Sequence, residues 1–288
     1  MNILENDKLI IESKNSGAEL TRIYSKDLKK EILWNGDSTH WSRHSPILFP
    51  IVGRLKDNKT YIEDKFYNMS QHGFARDMDF EIIYNDNTSI TYRLISSDET
   101  KKLYPYSFEL LIKYTIINNS INTNWIVLNK DTKDMYFSIG AHPAFNIYDD
   151  LCNYYLEFKS RDIVKRINLE GPYFNSVKEV YNLNNLRLEP KIFEKDALIY
   201  TNIDSINLKS NKSKDYININ FKDFPLVGIW TPYYKDTNST APFVCIEPWF
   251  GLADSVNSDK IYTNKAYINK LKPLESFNSL YTITIEKE

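Results

Sequence analysis

Two of the four histidines stand in similar sequence contexts that favour a chemical role. His72 in QHGFAR and His142 in GAHPAFN each follow strand-like residues and open a turn. Gly73 lets the chain turn sharply after the first histidine, and Pro143 restricts the second to extended backbone. Stiff local geometry would therefore aim both imidazoles, although each one alone is also typical of a histidine packed against aromatic residues at a strand end.

A single carboxylate, Glu247 of CIEPWFG, lies in an otherwise apolar segment. Glutamate is rarely buried unless it is paired, and burial raises the pKa of a carboxyl toward the range of a general acid or base at neutral pH. A buried ion pair with an arginine is the structural alternative. Arg54 in LFPIVGRLK is a second isolated charge, and its guanidinium suits either ligand oxygens or a carboxylate partner.

The elements that must position these residues are predicted to be β-strands. In the clearest case, apolar residues alternate from Phe108 to Ile116, a turn follows at Asn118, and alternation resumes from Ile121 to Val127. Similar runs recur along the chain, and SDETKK is one of two short segments with any helical character. The sequence predicts an all-β fold, a large antiparallel β-sandwich forming a single domain over residues 1–288.

Composition narrows the class of partner. A charged fraction of 26% with a net charge of only -2 gives no sign of a nucleic-acid or membrane partner, and a small, nearly neutral ligand is expected. The N-terminal residues lack the pattern of a signal peptide, and no segment approaches a membrane-spanning length. Cys152 and Cys245 show no framework spacing, so we expect both thiols to be reduced and buried in a cytoplasmic protein.

Five motifs between about Phe49 and Asp254 resemble those of the aldose 1-epimerase (galactose mutarotase) superfamily. They are FPIVGRL, QHGFARD, IGAHPAFNI, GIWTPY and APFVCIEPWFGLAD, in that order, and their wording is closest to the LacX-like branch. The family fold is a large antiparallel β-sandwich, the galactose mutarotase-like supersandwich, which agrees with the strand prediction. The resemblance implies an isomerase that interconverts the α and β anomers of a hexose.

The resemblance also implies roles for individual residues. Glu247 matches the family's catalytic base and His142 its general acid, while Arg54 and His72 match residues that hold sugar hydroxyls. An aspartate preceding a strand also contacts sugar in the family, and KDALIY offers Asp196. The wording AHPAF and CIEPWFG departs from the well-studied mutarotases beside the catalytic pair, which leaves the identity of the sugar open.

These residue types suit the reaction. Opening a pyranose ring needs a base for the proton of the C1 hydroxyl and an acid for the ring oxygen, each contributing roughly 10²–10⁴-fold, with no metal or other cofactor. Sugar binding also uses flat apolar surfaces, for which Phe74, Phe145 and Trp249 beside the motifs are candidates. Core packing is the alternative role of each of these aromatic residues.

The same residues also fit two rival functions. His72, His142 and Glu247 are also the ligand types of a two-histidine, one-carboxylate metal site, although the chain has no HxH or HxxxxE pattern near either histidine. Metal analysis of protein purified without added metal would decide that reading. A non-catalytic carbohydrate-binding β-sandwich would instead bind sugar without accelerating anomerisation.

Within the enzyme class, a hexose-6-phosphate 1-epimerase is the alternative. Such an enzyme needs a cluster of cationic side chains at the phosphate. Arg43, Arg54 and Arg76 are near enough in sequence to form one.

Overall fold

The computed structural model describes residues 1–287 and consists mainly of β-strands. In chain order the strands are β1 (Asn2–Glu5), β2 (Leu9–Ser13), β3 (Leu20–Ser25), β4 (Lys30–Glu31), β5 (Ile47–Leu48), β6 (Lys59–Ile62), β7 (Lys65–Asn68), β8 (Glu81–Asn85), β9 (Ser89–Ile95), β10 (Phe108–Ile117), β11 (Ser120–Asn129), β12 (Met135–Phe137), β13 (Ile139–Ala141), β14 (Ala144–Asn146), β15 (Tyr154–Ser160), β16 (Val164–Glu170), β17 (Tyr173–Val180), β18 (Asn185–Arg187), β19 (Leu198–Thr201), β20 (Ile203–Ser210), β21 (Ser213–Asn220), β22 (Leu226–Trp230), β23 (Tyr233–Tyr234), β24 (Ser239–Thr240), β25 (Phe243–Phe250), β26 (Asn269–Leu271) and β27 (Ser276–Glu286). The helical segments are α1 (Asp98–Leu103) and 3₁₀ helices at Lys56–Asn58, Ala75–Asp77, Leu151–Asn153, Pro190–Phe193 and Tyr262–Asn264.

The larger sheet has nine antiparallel strands in the order β18-β15-β20-β21-β27-β11-β10-β9-β8. Near its middle lies the hairpin expected from the sequence, with β10 and β11 paired from Phe108↔Asn129 to Ile117↔Ser120. Asn118 in the tight turn has a φ of 53°, a conformation that asparagine tolerates well. Buried and less buried residues alternate along the whole of β11, so one face of the hairpin is buried as predicted.

A second sheet has eight antiparallel strands in the order β17-β16-β19-β22-β25-β13-β5, with β14 also paired to β25. Aromatic contacts join it to the first sheet. Phe250 of β25 packs on Phe277 of β27 with ring centroids 5.0 Å apart, and Phe158 of β15 packs on Tyr200 of β19 at 5.8 Å. The two sheets are therefore the layers of a large antiparallel β-sandwich, which confirms the predicted fold class.

Smaller sheets and one short helix accompany the two large sheets. Strands β1 to β4 form a four-stranded sheet, and three two-stranded pairs complete the set. The segment SDETKK does form a helix, α1, because Ser97 and Thr100 make a capping box at its start, and it ends before Pro105. Among the described residues, no helix is long and apolar enough to cross a membrane.

Candidate active site

A cleft of about 400 Å³ opens on the face of the eight-stranded sheet that is turned away from the nine-stranded sheet. Residues from β16, β19, β22 and β25, together with several loops, form its walls. The cleft brings together five of the seven site residues expected from the sequence, namely His72, His142, Asp196, Glu247 and Trp249. Residues more than a hundred positions apart therefore share one concave site, as a ligand pocket requires.

Strand alternation explains why Glu247 faces the cleft. On β25, Val244 and Ile246 point into the main hydrophobic core between the sheets. Successive side chains of a strand point to opposite faces, so Cys245, Glu247 and Trp249 point the other way. The carboxylate of Glu247 is only 1% exposed, which agrees with the expectation of a buried acidic group.

His142 follows the last residue of β13 and is held by its neighbours. The backbone N–H of Ile246 donates to the carbonyl of Pro143 at 3.3 Å, which ties the turn to β25. The ring of Trp41 stacks on the imidazole at a centroid distance of 4.8 Å, and Trp230 meets its edge at 5.6 Å. Two indoles therefore fix the orientation of the imidazole inside the cleft.

Glu247 and His142 form a close pair, with Oε2 of the carboxylate 3.2 Å from Nε2 of the imidazole. The two groups do not make a hydrogen bond of good geometry. Oε2 of Glu247 and Nδ1 of His142 are both buried without a hydrogen-bond partner in the protein. Buried polar atoms are normally satisfied, so these atoms are suited to contact a polar ligand in the cleft.

Burial shifts the pKa values of this pair in opposite directions. It raises the pKa of Glu247 well above its usual range, and the nearby carboxylate of Asp196 raises it further. Burial lowers the pKa of His142 to about 3, and the guanidinium groups of Arg76 and Arg43 add to that effect. A single proton carried by the pair is therefore favoured on Glu247, beside a neutral imidazole.

His72 owes its position to an unusual backbone. Its φ is 68° and that of Gly73 is 75°, both in the left-handed region. A Cβ at Gly73 would lie 2.3 Å from the carbonyl oxygen of Phe49, so only glycine fits there. The His72 N–H donates to the Gly53 carbonyl at 2.8 Å, and its ring meets that of His142 edge-on at 5.6 Å. The segment QHG is thus a strained turn that points one imidazole at the other.

Asp196 and Arg54 have different relations to the cleft. Asp196 lines it directly, and burial raises the pKa of its carboxyl. Arg54 is not among the residues that line the cleft. Its Nη2 donates at 3.1 Å to Oε1 of Gln71, which does line it. Asp254 fixes the segment behind this wall, because its N–H donates to the Arg54 carbonyl and its carboxylate accepts from the N–H of Lys56.

Only one of the three aromatic residues considered from the sequence lines the cleft. Trp249 does so, packed over glycines of the two flanking strands. Phe145 is completely buried and paired with Val244, whose side chain points into the main core, which corrects the expectation that Phe145 contacts the ligand. Phe74 is likewise a core residue, packed against Phe49 and other aromatic rings.

Nine of the lining residues were not among the site residues expected from the sequence, including Trp41, Gln71 and Trp230, and Arg76 was considered only as part of a possible phosphate-binding cluster. Gln71 and Arg76 lie in QHGFARD and Trp230 lies in GIWTPY. These motifs are recognisable in the sequence, but the direction of the three side chains is not. Trp41 lies in the irregular segment between β4 and β5, which has no periodicity to interpret. Arg76 donates from Nη2 to the Gln71 carbonyl at 2.7 Å, and its Nε has no hydrogen-bond partner but lies 3.8 Å from Oδ2 of Asp77.

The metal-ligand set considered from the sequence is not assembled within residues 1–287. A group of possible ligands does occur, but it consists of His142, Cys245 and Glu247, with donor atoms within 4.8 Å of one another, and excludes His72. Both cysteines are free thiols. Cys245 is buried as expected, whereas Cys152 is only partly buried, because it lies in a surface 3₁₀ helix.

Comparisons with known proteins agree with this geometry. Residues 2–266 match the family model for aldose 1-epimerase. The protein LacX of Lactococcus lactis subsp. lactis is 32% identical, with 98% of each chain covered. A galactose mutarotase related enzyme from Lactobacillus acidophilus superposes with a TM-score of 0.94 at 34% identity, covering 99% of this chain and 97% of that one. A galactose mutarotase-like protein from Lactobacillus casei gives a TM-score of 0.93 at 29% identity, covering 99% and 100%.

Proposed function

The chain belongs to the aldose 1-epimerase family, in its LacX-like branch, and we propose that it interconverts the α and β anomers of a hexose by opening and closing the pyranose ring. One observation carries this proposal. The carboxylate of Glu247 and the imidazole of His142 lie 3.2 Å apart in the cleft of the eight-stranded sheet, and each has a buried atom without a hydrogen-bond partner.

Glu247 acts as the base and His142 as the acid in this proposal. The ionised carboxylate takes the proton of the C1 hydroxyl, the C1–O5 bond breaks as the C1 carbonyl forms, and the imidazolium gives its proton to O5. Rotation about C1–C2 presents the other face of the carbonyl, and the same two proton transfers in reverse close the ring. The proton count is unchanged, so neither an oxidant nor a second substrate is required.

The pair needs only a short proton movement to become competent. A carboxylate with an imidazolium holds the same single proton as a carboxylic acid with a neutral imidazole. Burial favours the second arrangement, because it raises the pKa of Glu247 and lowers that of His142. Hydroxyl groups that enter the cleft and hydrogen-bond to the carboxylate stabilise its charged form, which favours transfer of the proton to His142.

Other lining residues hold the sugar or orient the catalytic pair. His72 and Asp196 offer polar groups to the hydroxyls, and the ring of Trp249 gives the apolar floor on which the C–H face of a pyranose can lie. Trp41 holds the imidazole of His142 by stacking, so that the acid is oriented before the substrate arrives.

A hexose 6-phosphate is the second candidate substrate, favoured by one observation. The guanidinium of Arg76 lines the cleft, and its pKa is lowered to about 10 chiefly by burial and further by the nearby guanidinium of Arg43, so two positive charges stand on one side of the site. Asp77 neutralises part of this charge through its ion pair with Arg43 at 2.7 Å. A neutral hexose therefore remains the first candidate.

Polarimetry of freshly dissolved α-D-glucose, α-D-galactose and glucose 6-phosphate tests the proposal. The protein, with a chelator present and no cofactor added, should accelerate the change in rotation for at least one of the three. Rates equal to buffer for all three would contradict the enzymatic function. If a sugar nevertheless bound, as calorimetry would detect, the protein would be a carbohydrate-binding β-sandwich.

A further inference from the structure

The side-chain amide of Gln71 is held between two hydrogen-bond donors. Nη2 of Arg54 donates to its Oε1 at 3.1 Å. Its Nε2 lies 3.3 Å from Nε2 of His72 on the other side. An arginine has no acceptor atom, so the oxygen of the amide must face Arg54 and the NH₂ group must face His72.

The tautomer of His72 is fixed by the backbone. The N–H of Gly53 donates to Nδ1 of His72 at 3.1 Å, so Nδ1 carries a lone pair and no proton. The ring is buried and neutral, which agrees with a pKa held well below its usual range chiefly by burial. A neutral imidazole carries one proton, and that proton must therefore be on Nε2.

The amide N–H of Gln71 and the Nε2–H of His72 therefore point at the same place. No acceptor atom of the protein lies between them. Reversing the amide would give His72 an acceptor but would set the NH₂ group against the donor of Arg54. Either orientation leaves one donor unsatisfied, and both residues line the cleft. An oxygen atom of a ligand would satisfy both donors at once, because a hydroxyl oxygen has two lone pairs.

We propose that Gln71 contacts the substrate and determines specificity, and that its amide N–H and the Nε2–H of His72 together bind the oxygen of one sugar hydroxyl. Arg54 is then a positioning residue, which acts through Gln71 instead of contacting the sugar itself. A sugar lacking that hydroxyl leaves the buried donor of His72 and the partly buried donor of Gln71 unpaired, and unpaired donors of this kind give a polar site its discrimination. The sugar as ligand rests on the proposed function.

The variant Gln71→Glu separates substrate contact from a structural role. A carboxylate at this position accepts from both Arg54 and His72, so the conflict between donors disappears and the folded state should be at least as stable as wild type. The same change removes one donor and occupies the other. Sugar affinity should fall about tenfold or more, the effect of one or two lost hydrogen bonds to a buried site.

Arg54 is tested by a double-mutant cycle with Gln71→Leu. If Arg54 acts only through Gln71, Arg54→Ala weakens sugar binding in the wild type but adds little in the Gln71→Leu background. Arg54→Lys keeps a donor for Oε1 and should restore part of the affinity. Independent losses that multiply in the double variant would show that Arg54 contacts the sugar directly.

Calorimetry measures binding of the three sugars used for polarimetry and of their deoxy analogues. ¹⁵N NMR identifies the tautomer of His72, and the variant His72→Asn serves to assign its resonances. The expected results are an unprotonated Nδ1, weaker binding by Gln71→Glu, and one deoxy sugar that binds wild type and Gln71→Glu equally. Unchanged affinity in Gln71→Glu, a protonated Nδ1, or no sugar bound by wild type would overturn the inference. Binding without faster anomerisation would defeat only the proposed function.

Discussion

The indole of Trp249 lies over Gly228 of the neighbouring strand, so close that a Cβ on Gly228 would stand 2.5 Å from the ring. Gly140 on the other flanking strand leaves similar room, since a Cβ there would lie 2.6 Å from the same ring. Two glycines, one on each side of β25, thus allow the indole of Trp249 to lie against the sheet. The floor of the cleft depends on the absence of these two methyl groups.

We expect Gly228→Ala to displace Trp249 and to damage the site. Overpacking of this kind costs about 1–3 kcal/mol of stability, measurable by urea denaturation, and should lower kcat/KM through a higher KM. Trp249→Phe supplies the control, because a smaller ring leaves room for the new methyl group. In that background Gly228→Ala should cost much less. Full stability and activity of Gly228→Ala alone would show that Trp249 does not lie as described.

The raised pKa of Glu247 predicts that this residue lowers stability at neutral pH. The carboxyl ionises near pH 4.5 in the unfolded chain but at higher pH in the folded one, so the unfolded state gains stability as pH rises above 4.5. The side-chain amide that Glu247→Gln introduces does not ionise. The free energy of unfolding of this variant, measured by urea denaturation, should therefore rise relative to that of wild type between pH 4 and pH 7. A difference in unfolding free energy that did not change with pH would contradict the raised pKa of Glu247.

The two thiols should differ in reactivity. Cys152 is partly exposed and Cys245 fully buried, so the native protein should react with a thiol reagent at one position and the denatured, unreduced protein at two. Cys152→Ser should remove the native reaction alone. Two free thiols would support the expectation, drawn from the cysteine spacing, that the protein is cytoplasmic, and finding no free thiol would overturn it.

Features that depend on neighbouring residues in the sequence could be predicted from it. The hairpin of β10 and β11 follows from period-two alternation, because a one-residue shift would expose every core side chain. Glu247 was expected to be buried because its neighbours on the chain are apolar. The aldose 1-epimerase family itself followed from five short motifs, and the match over residues 2–266 confirms it.

Other features depend on contacts that no local pattern contains. Phe145 is only three residues from His142, yet pairing with Val244 turns its side chain toward the core. Arg54 was expected to contact sugar, but it is not among the residues that line the cleft, and its Nη2 donates to the lining residue Gln71. Trp41 reaches His142 from a loop a hundred residues away in sequence. Side-chain direction and long-range contact decide membership of the site, and the sequence states neither.

Steady-state kinetics of Glu247→Gln and His142→Asn, followed by polarimetry, test the acid and base assignment most directly. Both groups act mainly in the transition state, so each variant, once circular dichroism shows it folded, should lose roughly 10²–10⁴-fold in kcat with little change in KM. The double variant should be barely slower than either single one, because the pair acts as a unit. A folded Glu247→Gln that kept most of its kcat would contradict the account and make Asp196 the next carboxylate to substitute.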